Sequence, residues 1–397
     1  MESKLKGRIE SIDILRGIAM VIMALDHVRD YFHFSANTSD PLDLDTTTPL
    51  LFFTRWITHF CAPVFIFLSG TSIYLQSIRK SKSELSLFLL KRGLWLILVE
   101  MIVITFGWSF NPNYPAFFMQ VIWAIGISMA LMAFIIYLPY WAIFTLGVLI
   151  VIGHNFLDYY EIQDGFKPNF IWDISHHGVF KPYEFIKGHS FLIVYPFLPW
   201  TGVMMLGYCL GILYSSNYSQ EQRLRNLKIL GLTLIVLFII LRYTNLYGNK
   251  TPWEVQKNIL YSLFSFIDVN KYPPSLLYIC MTLGPSILVL AWLESFKITG
   301  FKYFKVFGSV ALFYYILHIY LIHALCMLIF FVRGHHMSEA VNPAAHFPFY
   351  FVISGEGFSL PLVYFIWILV VLILYPICKI YDKYKTKHKN KKWLSYL

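Results

Sequence analysis

The sequence predicts an all-α fold, a polytopic membrane helix bundle of about ten transmembrane helices, with both termini cytoplasmic. Composition is the first reason: 57% of the residues are hydrophobic and 14% are charged, with a mean hydropathy of +0.59. A soluble domain carries about a quarter of charged residues, so a water-soluble class is excluded. The other two reasons are a series of long apolar runs and the placement of Lys and Arg between them. Nothing in the chain indicates nucleic acid as a partner.

Ten runs are long enough to cross about 30 Å of hydrocarbon. They fall at 12–33, 50–77, 87–108, 117–137, 139–156, 190–214, 226–246, 274–295, 309–332 and 358–380. The segment 251–270 is apolar in patches but broken by charges and prolines, so we interpret it as interfacial or re-entrant. It would be the eleventh span if it inserts. The whole chain, 1–397, is expected to form a single transmembrane domain that ends in a basic tail, 381–397.

Basic residues set the orientation, because Lys and Arg concentrate in cytoplasmic loops. They cluster in alternate loops, whereas loops such as 35–49 and 109–116 contain neither residue. The clusters are Lys4, Lys6 and Arg8 before the first span, then 79–92, 223–228, Lys297 with 302–305, and the tail. This alternation agrees with ten spans and predicts that both termini are cytoplasmic. The expected location is the cell (inner) membrane. A cleaved signal peptide is not expected, since the first apolar run is too long and too polar.

The first span carries charges that a membrane helix rarely tolerates. An ionisable group at bilayer depth costs about 2.5–3.5 kcal/mol, so such groups usually face a protein interior and act there. Arg16 and His27 are eleven residues apart, close to three turns, so they share a helix face about 16 Å apart. We therefore expect a functional site along this face.

Two further spans bring polar side chains to the depth of His27. A histidine flanked by carboxylates has what a general base needs, namely a nitrogen that titrates near neutral pH and an acceptor that fixes its tautomer. In span nine, Tyr314 and His318 can share a face, whereas His318 and His323 cannot point the same way. The predicted catalytic residues are His27, Asp26, Asp30 and His59, and the predicted substrate-binding residues here are Arg29, Arg55, Trp56, Tyr315, His318 and His323.

The cytoplasmic end of span two is the second candidate binding region. Ser69 belongs to a run of small hydroxylated residues that precedes the basic loop 79–82, a pattern that suits an anionic, nucleotide-like donor. Glu100 is an isolated carboxylate in span three and needs a partner. No metal site is predicted, because the five cysteines occur singly and the loop histidines are expected to be solvated. These histidines are His176, His177, His335, His336 and His346.

Four segments resemble a known family. They are IDILRG at 12–17, ALDHVRDYF at 24–32, TRWITHFCAPVFIFLSGT at 54–71 and YPFLPWTGV at 195–203. They are similar to bacterial proteins related to heparan-alpha-glucosaminide N-acetyltransferase, the multispan lysosomal enzyme that acetylates terminal glucosamine. The spacing of Arg16 and His27 also resembles the Arg-x10-His motif of bacterial membrane O-acyltransferases that modify surface polysaccharides.

The resemblance implies transfer of an acetyl group across the membrane. Acetyl-CoA would be the co-substrate, with no bound cofactor, and a hydroxyl or amine of an extracytoplasmic sugar or glycan would be the acceptor. His27 would act as base or transient acyl carrier and Arg16 would position the donor, while His33 and His59 are the alternatives for the catalytic histidine. Membrane lipids and a second copy in a homodimer are the remaining expected partners.

Two other functions fit some of the same residues. In the first, the protein is a proton-coupled transporter or flippase for a lipid or glycan, and Asp26, His27 and Arg29 couple movement to protons. In the second, His59 and His318 bind haem for electron transfer. Labelled acetyl-CoA separates the enzyme from the transporter, and an absorption spectrum tests for haem.

Overall fold

The computed structural model describes most of the chain. The described residues are 9–36, 38–163, 165–178, 180–295, 299–341, 349–388 and 390–395. The predicted basic residues Lys4, Lys6, Arg8 and Lys297 and the loop histidine His346 lie outside these ranges.

The described chain is mostly helical, as predicted. Its α-helices are Glu10–Phe32 (α1), Pro49–Thr58 (α2), Cys61–Ser77 (α3), Lys82–Val99 (α4), Thr105–Ser109 (α5), Val121–Ile135 (α6), Tyr140–Gly153 (α7), Asp158–Glu161 (α8), Phe170–Trp172 (α9), Phe197–Leu210 (α10), Gln220–Thr244 (α11), Ile259–Ile267 (α12), Leu276–Ser295 (α13), Lys302–Ser309 (α14), Ala311–Val332 (α15) and Leu360–Lys387 (α16). Two π-helical turns are Glu100–Ile104 and Asp173–His177, and three strands are Ala116–Met119 (β1), Pro182–Ile186 (β2) and His189–Ile193 (β3).

Seven helical segments of the described chain are long and apolar enough to cross a membrane. They are Pro49–Ser77, Tyr140–Glu161, Phe197–Tyr214, Gln220–Thr244, Leu276–Ser295, Ala311–Val332 and Leu360–Lys387. The three other predicted spans, 12–33, 87–108 and 117–137, are helical over most of their length, but α1 and α4 carry charges and α6 has 15 residues. The total of ten spans therefore stays a prediction.

The prediction of an all-α fold was wrong in one region. Residues 117–119 and 190–193, which we assigned to the starts of spans four and six, lie in strands β1 and β3, and β2 joins these strands in a sheet of order β1-β3-β2. β1 runs parallel to β3, with Ala116 opposite Ser190, and β2 runs antiparallel to β3. A short apolar run has the same hydropathy in a strand as in a helix, and the pairing of segments about 75 residues apart leaves no local signal.

Other helix boundaries differ from the predicted ones for local reasons. α11 begins at Gln220 rather than 226, because Ser219 and Gln222 form a capping box that adds a polar turn to the apolar helix. α16 continues to Lys387, so the first residues of the predicted tail are helical. Within the predicted interfacial segment 251–270, the helix α12 leaves Ile259 92% exposed. This exposure agrees with a position at a lipid surface.

Predicted span two is interrupted between α2 and α3. Pro63 has no N–H and so cannot donate a hydrogen bond to the carbonyl of His59, four residues earlier. The hydroxyl of Tyr278 on α13 donates to that carbonyl instead, at 2.7 Å. The carbonyl of His59 therefore keeps a hydrogen-bond partner at the break. A bent helix inside a membrane needs such a partner for each freed carbonyl.

α1 lies at the centre of the bundle, where it packs against α2, α3, α13, α14, α15 and α16. Its closest neighbour is α14, and glycines permit this approach. A Cβ on Gly17 would collide with the carbonyl of Phe304, and one on Gly308 would collide with the carbonyl of Asp13. The contact brings the Gly308 carbonyl to 3.4 Å from Nη1 of Arg16. Helix packing thus positions one of the predicted binding residues.

Candidate functional site

Two histidines from different helices form the centre of the site. Nδ1 of His27 on α1 lies 2.7 Å from Nε2 of His318 on α15, and the two rings stack with centroids 4.9 Å apart. Nδ1 of His318 lies 3.1 Å from the carbonyl oxygen of Tyr314. Because a carbonyl can only accept, His318 carries its proton on Nδ1 and accepts from His27 with Nε2. The proton of neutral His27 is therefore on Nδ1, and its Nε2 offers a lone pair.

The carboxylates that flank His27 have different partners from those the sequence predicted. Asp26 accepts hydrogen bonds from Arg29 at 2.8 Å and from Arg55 at 2.5 Å, and Asp30 accepts from Arg29 at 2.6 Å. The prediction that these carboxylates fix the tautomer of His27 was wrong, since His318 does so. The two aspartates and two arginines instead form an ion-pair network that joins α1 to α2.

This network and His27 line a cavity of about 640 Å³, which we call the His27 cavity. Its other walls include the end of α5, the end of β3 with Val194 and Tyr195, residues 36 and 38–41, and the residues Lys271 and Tyr272. The lining mixes both signs of charge with aromatic rings. Such a surface suits a polar ligand that carries many hydrogen-bonding groups.

A second cavity, of about 340 Å³, lies toward the other end of α1 and contains Arg16; we call it the Arg16 cavity. Arg16 donates to Ser72 at 3.1 Å and to Asp13 at 3.2 Å. Ser69, a predicted binding residue, lines this cavity and donates its hydroxyl to the carbonyl of Phe65 at 2.7 Å. The Arg16 cavity also has two basic side chains that the sequence did not assign to a site, Arg92 and Lys385.

The two cavities share part of their walls. Phe65, Val121 and Tyr315 line both of them. The ring of Tyr315, which is 2% exposed, lies 6.1 Å from the ring of His27 by centroids and 5.4 Å from that of His318. Tyr315, which belongs to the walls of both cavities, therefore lies beside the histidine pair.

Four other predicted residues lie away from this junction. His59 is buried against Tyr278 at a ring distance of 5.5 Å and lines neither cavity, and Trp56 packs on Phe60 instead. His323 has a backbone carbonyl 2.9 Å from each ring nitrogen. His33 bonds to Ser35 at 2.8 Å in the adjoining loop. As predicted, His318 and His323 point to different partners, and Tyr314 shares a face with His318.

Residues from distant segments complete the His27 cavity. Trp108 follows a π-helical turn, and Lys271 and Tyr272 lie in the loop before α13. Burial alone would raise the pKa of Tyr272, but the positive charges of Lys271 and Arg55 outweigh burial and hold the pKa below its usual value. Sequence reasoning missed these residues, because none belongs to a motif. Lys271 and Tyr272 lie outside the predicted spans, and Trp108 is the last residue of span three, eight positions after Glu100.

The carboxylate of Glu100 has a structural partner. Its Oε2 accepts the backbone N–H of Trp123 at 2.9 Å, and the side chain is fully buried. Trp123 is in the first turn of α6, where N–H groups have no intrahelical acceptor. Glu100 therefore caps α6 through Oε2, whereas its Oε1 has no hydrogen-bond partner among the described residues.

One cluster outside the two cavities has the residue types of a metal site. Asp158, Glu161 and His176 offer ligand atoms within 4.8 Å of one another. The ammonium of Lys250 lies 3.4 Å from Asp158 and pairs with Glu161, so the carboxylates already have a cation. His176, which we predicted to be solvated, is buried because it bonds to Glu161 at 2.9 Å.

Comparison with known families bears on this site. A family model described as heparan-alpha-glucosaminide N-acetyltransferase, catalytic, matches residues 8–245, more than half of the chain. A search of curated proteins finds no match. The matched part includes Arg16 and His27 and ends before α15, so Tyr315 and His318 lie beyond it. The family predicted from the four segments is confirmed.

Proposed function

Since the chain belongs to the heparan-alpha-glucosaminide N-acetyltransferase family, we propose that it is an acyl-CoA-dependent membrane acetyltransferase. It takes an acetyl group from cytoplasmic acetyl-CoA and delivers it to a hydroxyl or amine of a sugar or glycan on the other side of the membrane. The single observation that carries this proposal is the pair of cavities that share Phe65, Val121 and Tyr315 beside His27.

The lone pair on Nε2 of His27 is the chemical centre of the proposed reaction. It accepts the proton of the attacking hydroxyl or amine, while His318 holds the ring in the tautomer that leaves this nitrogen unprotonated. Direct transfer needs no acyl-histidine. A nucleophile in the His27 cavity and a thioester in the Arg16 cavity would both lie beside the ring of Tyr315, because Tyr315 lines both cavities.

The Arg16 cavity is the proposed entry for the donor. Arg16, Arg92 and Lys385 supply positive charge for the phosphates of coenzyme A, since guanidinium and ammonium groups bind phosphate by charge-assisted hydrogen bonds. The volume of about 340 Å³ suits the pantetheine arm, with the nucleotide at the mouth and the acetyl group at Tyr315. Ser69 lies on the wall along this path.

The His27 cavity is the proposed acceptor site. Its carboxylates, guanidiniums and aromatic rings match the hydroxyl groups and apolar ring faces of a sugar. The proposed location is the inner membrane. The basic loops favour an orientation in which the Arg16 cavity and both termini face the cytoplasm. Lipids would cover the exposed apolar helix faces, and a homodimer stays a prediction.

Labelled acetyl-CoA tests the proposal directly. Protein reconstituted in vesicles is given radiolabelled acetyl-CoA on the Arg16 side, with glucosamine or a total extract of bacterial glycans and lipids as acceptor. We expect label to move to an acceptor, and His27→Gln to lower the rate by about 10²–10⁴-fold. The matched control is His154→Gln, a buried histidine that lines neither cavity.

The possible results separate the functions. Turnover near the wild-type rate in His27→Gln would remove His27 as the base. A wild-type protein that leaves acetyl-CoA intact with every acceptor and with water would contradict the acetyltransferase and favour the transporter or flippase.

A further inference from the structure

The indole N–H of Trp108 is a buried hydrogen-bond donor with no acceptor among the described residues. Trp108 is 4% exposed, and its Nε1 has no hydrogen-bond partner in the part of the chain that the structure describes. An unsatisfied buried donor costs about 1–3 kcal/mol, so a protein that keeps one usually has a use for it. The side chain lines the His27 cavity.

The rest of Trp108 is held firmly. Its ring meets the ring of His27 edge to face with centroids 4.7 Å apart and stacks on Tyr31 at 5.8 Å and on Phe349 at 5.6 Å. Its carbonyl accepts the hydroxyl of Tyr31 at 2.6 Å. The ring is thus fixed by neighbours on several sides, and only the N–H is left without a bond. This is the condition for a preorganised donor.

The N–H also lies at the right place along the proposed path. It is near the hydroxyl of Tyr315 but does not reach hydrogen-bond geometry with it. Tyr315 is one of the residues that line both cavities, and His27 is in direct ring contact with Trp108. A group that enters from the Arg16 cavity and reacts beside His27 would meet this donor.

We propose that Trp108 is a further catalytic residue, whose Nε1–H binds the carbonyl oxygen of the acetyl group as that oxygen becomes an anion. The inference rests on the proposed acetyl transfer. Nε2 of His27 takes the proton of the acceptor, whose oxygen or nitrogen forms a bond to the acetyl carbon. The carbonyl π electrons move to the oxygen, where Trp108 donates its hydrogen bond. When the carbonyl re-forms, the carbon–sulfur bond breaks, and the thiolate of coenzyme A receives the proton from His27.

Other tryptophans provide a control. Trp56, Trp123 and Trp200 also have indole nitrogens that are buried and lack a partner among the described residues. None of these three side chains lines either cavity. Trp200 is fully buried and is therefore the control closest to Trp108 in burial. Among these four tryptophans, the proposal gives a catalytic role to Trp108 alone.

The test compares Trp108→Phe with Trp200→Phe in the vesicle assay, with acetyl-CoA as donor and glucosamine or water as acceptor. Phenylalanine keeps an aromatic ring and removes the N–H. We expect Trp108→Phe to lower kcat by about 10²–10³-fold with little change in KM for acetyl-CoA, since an oxyanion donor acts in the transition state. Trp200→Phe should keep kcat within a few-fold, even if both variants lose similar thermal stability.

A second variant tests whether the loss of activity in Trp108→Phe comes from the missing N–H or from altered packing. Replacement of the Trp108 indole by benzothiophene, through an unnatural amino acid, keeps the size and shape of the ring and removes only the N–H. We expect the same loss in kcat with a melting temperature that is unchanged or higher, because the unsatisfied buried donor is removed. Wild-type kcat in this variant would overturn the role of Trp108 while the acetyltransferase stands. A wild-type protein that transfers no acetyl group would instead refute the proposed function itself.

Discussion

Removal of the acceptor that holds His27 is the sharpest test of the histidine pair. In His318→Leu, Nδ1–H of His27 loses its partner 2.7 Å away, and the ring is free to turn or to move its proton to Nε2. Both changes take the lone pair away from the His27 cavity. His318 does not line that cavity, so it would act on the reaction only through His27, as a positioning residue.

The magnitude follows from the bond that is lost. A buried donor left unsatisfied costs about 1–3 kcal/mol, and 1.36 kcal/mol corresponds to a factor of ten in rate. If this energy is what keeps His27 in its working state, kcat should fall by about 5- to 150-fold. In His318→Gln, the amide oxygen can still accept a hydrogen bond from His27, so kcat should fall less than in His318→Leu.

The assay measures kcat and KM for acetyl transfer together with the melting temperature in detergent. The control is His323→Leu, a buried histidine on the same helix whose ring nitrogens lie at backbone carbonyls. It should lose stability and keep kcat. If His318→Leu keeps the wild-type kcat, or if His323→Leu loses as much activity, the tautomer argument is refuted.

Two further predictions concern other parts of the protein. Arg16→Gln should raise KM for acetyl-CoA by about 10- to 150-fold, the equivalent of one charge-assisted hydrogen bond of about 1.5–3 kcal/mol, whereas Arg79→Gln, outside both cavities, should not. The same KM for acetyl-CoA in both variants would contradict the proposal that the Arg16 cavity binds the donor. At the exposed end of α15, the hydrogen bond from His335 to Glu356, 2.8 Å, raises the pKa of His335. Its stabilising effect is full below pH 6.5 and is lost as the pH rises through the folded-state value. The wild type should therefore melt above His335→Asn at pH 5.5 and equal it at pH 8.5, and a pH-independent difference would refute this role.

Local sequence predicted most helices because their signals are local. Apolar runs act within a few residues, and the structure has the corresponding helices. The break near Pro63 and the capping box at Ser219 are equally local signals, but the predicted spans 50–77 and 226–246 did not include them. Strands β1 and β3 were missed for the converse reason. Their apolar residues are typical of either structure, and only the partner strand distinguishes the two.

The site shows the same division. The charges on α1 identified Arg16 and His27, because a charge in an apolar helix stands out without any knowledge of its partner. The partner was misassigned: the aspartates adjacent to His27 in sequence bond to Arg29 and Arg55, and His318 comes from a helix almost 300 residues away. His176 was misjudged as solvated, because the carboxylates and the lysine around it meet only in the folded loop.

By itself, the amino-acid order determined that this chain is a helical membrane protein of a particular acetyltransferase family, with an arginine and a histidine on one face of its first helix. Hydrophobic periodicity and charge are properties of consecutive residues, so they can be read along the chain. Only the tertiary structure decided that His27 bonds to His318, that two cavities share Tyr315 in their walls, and that the Trp108 N–H has no acceptor among the described residues. Each of these depends on distances between helices that the packing of the whole bundle sets.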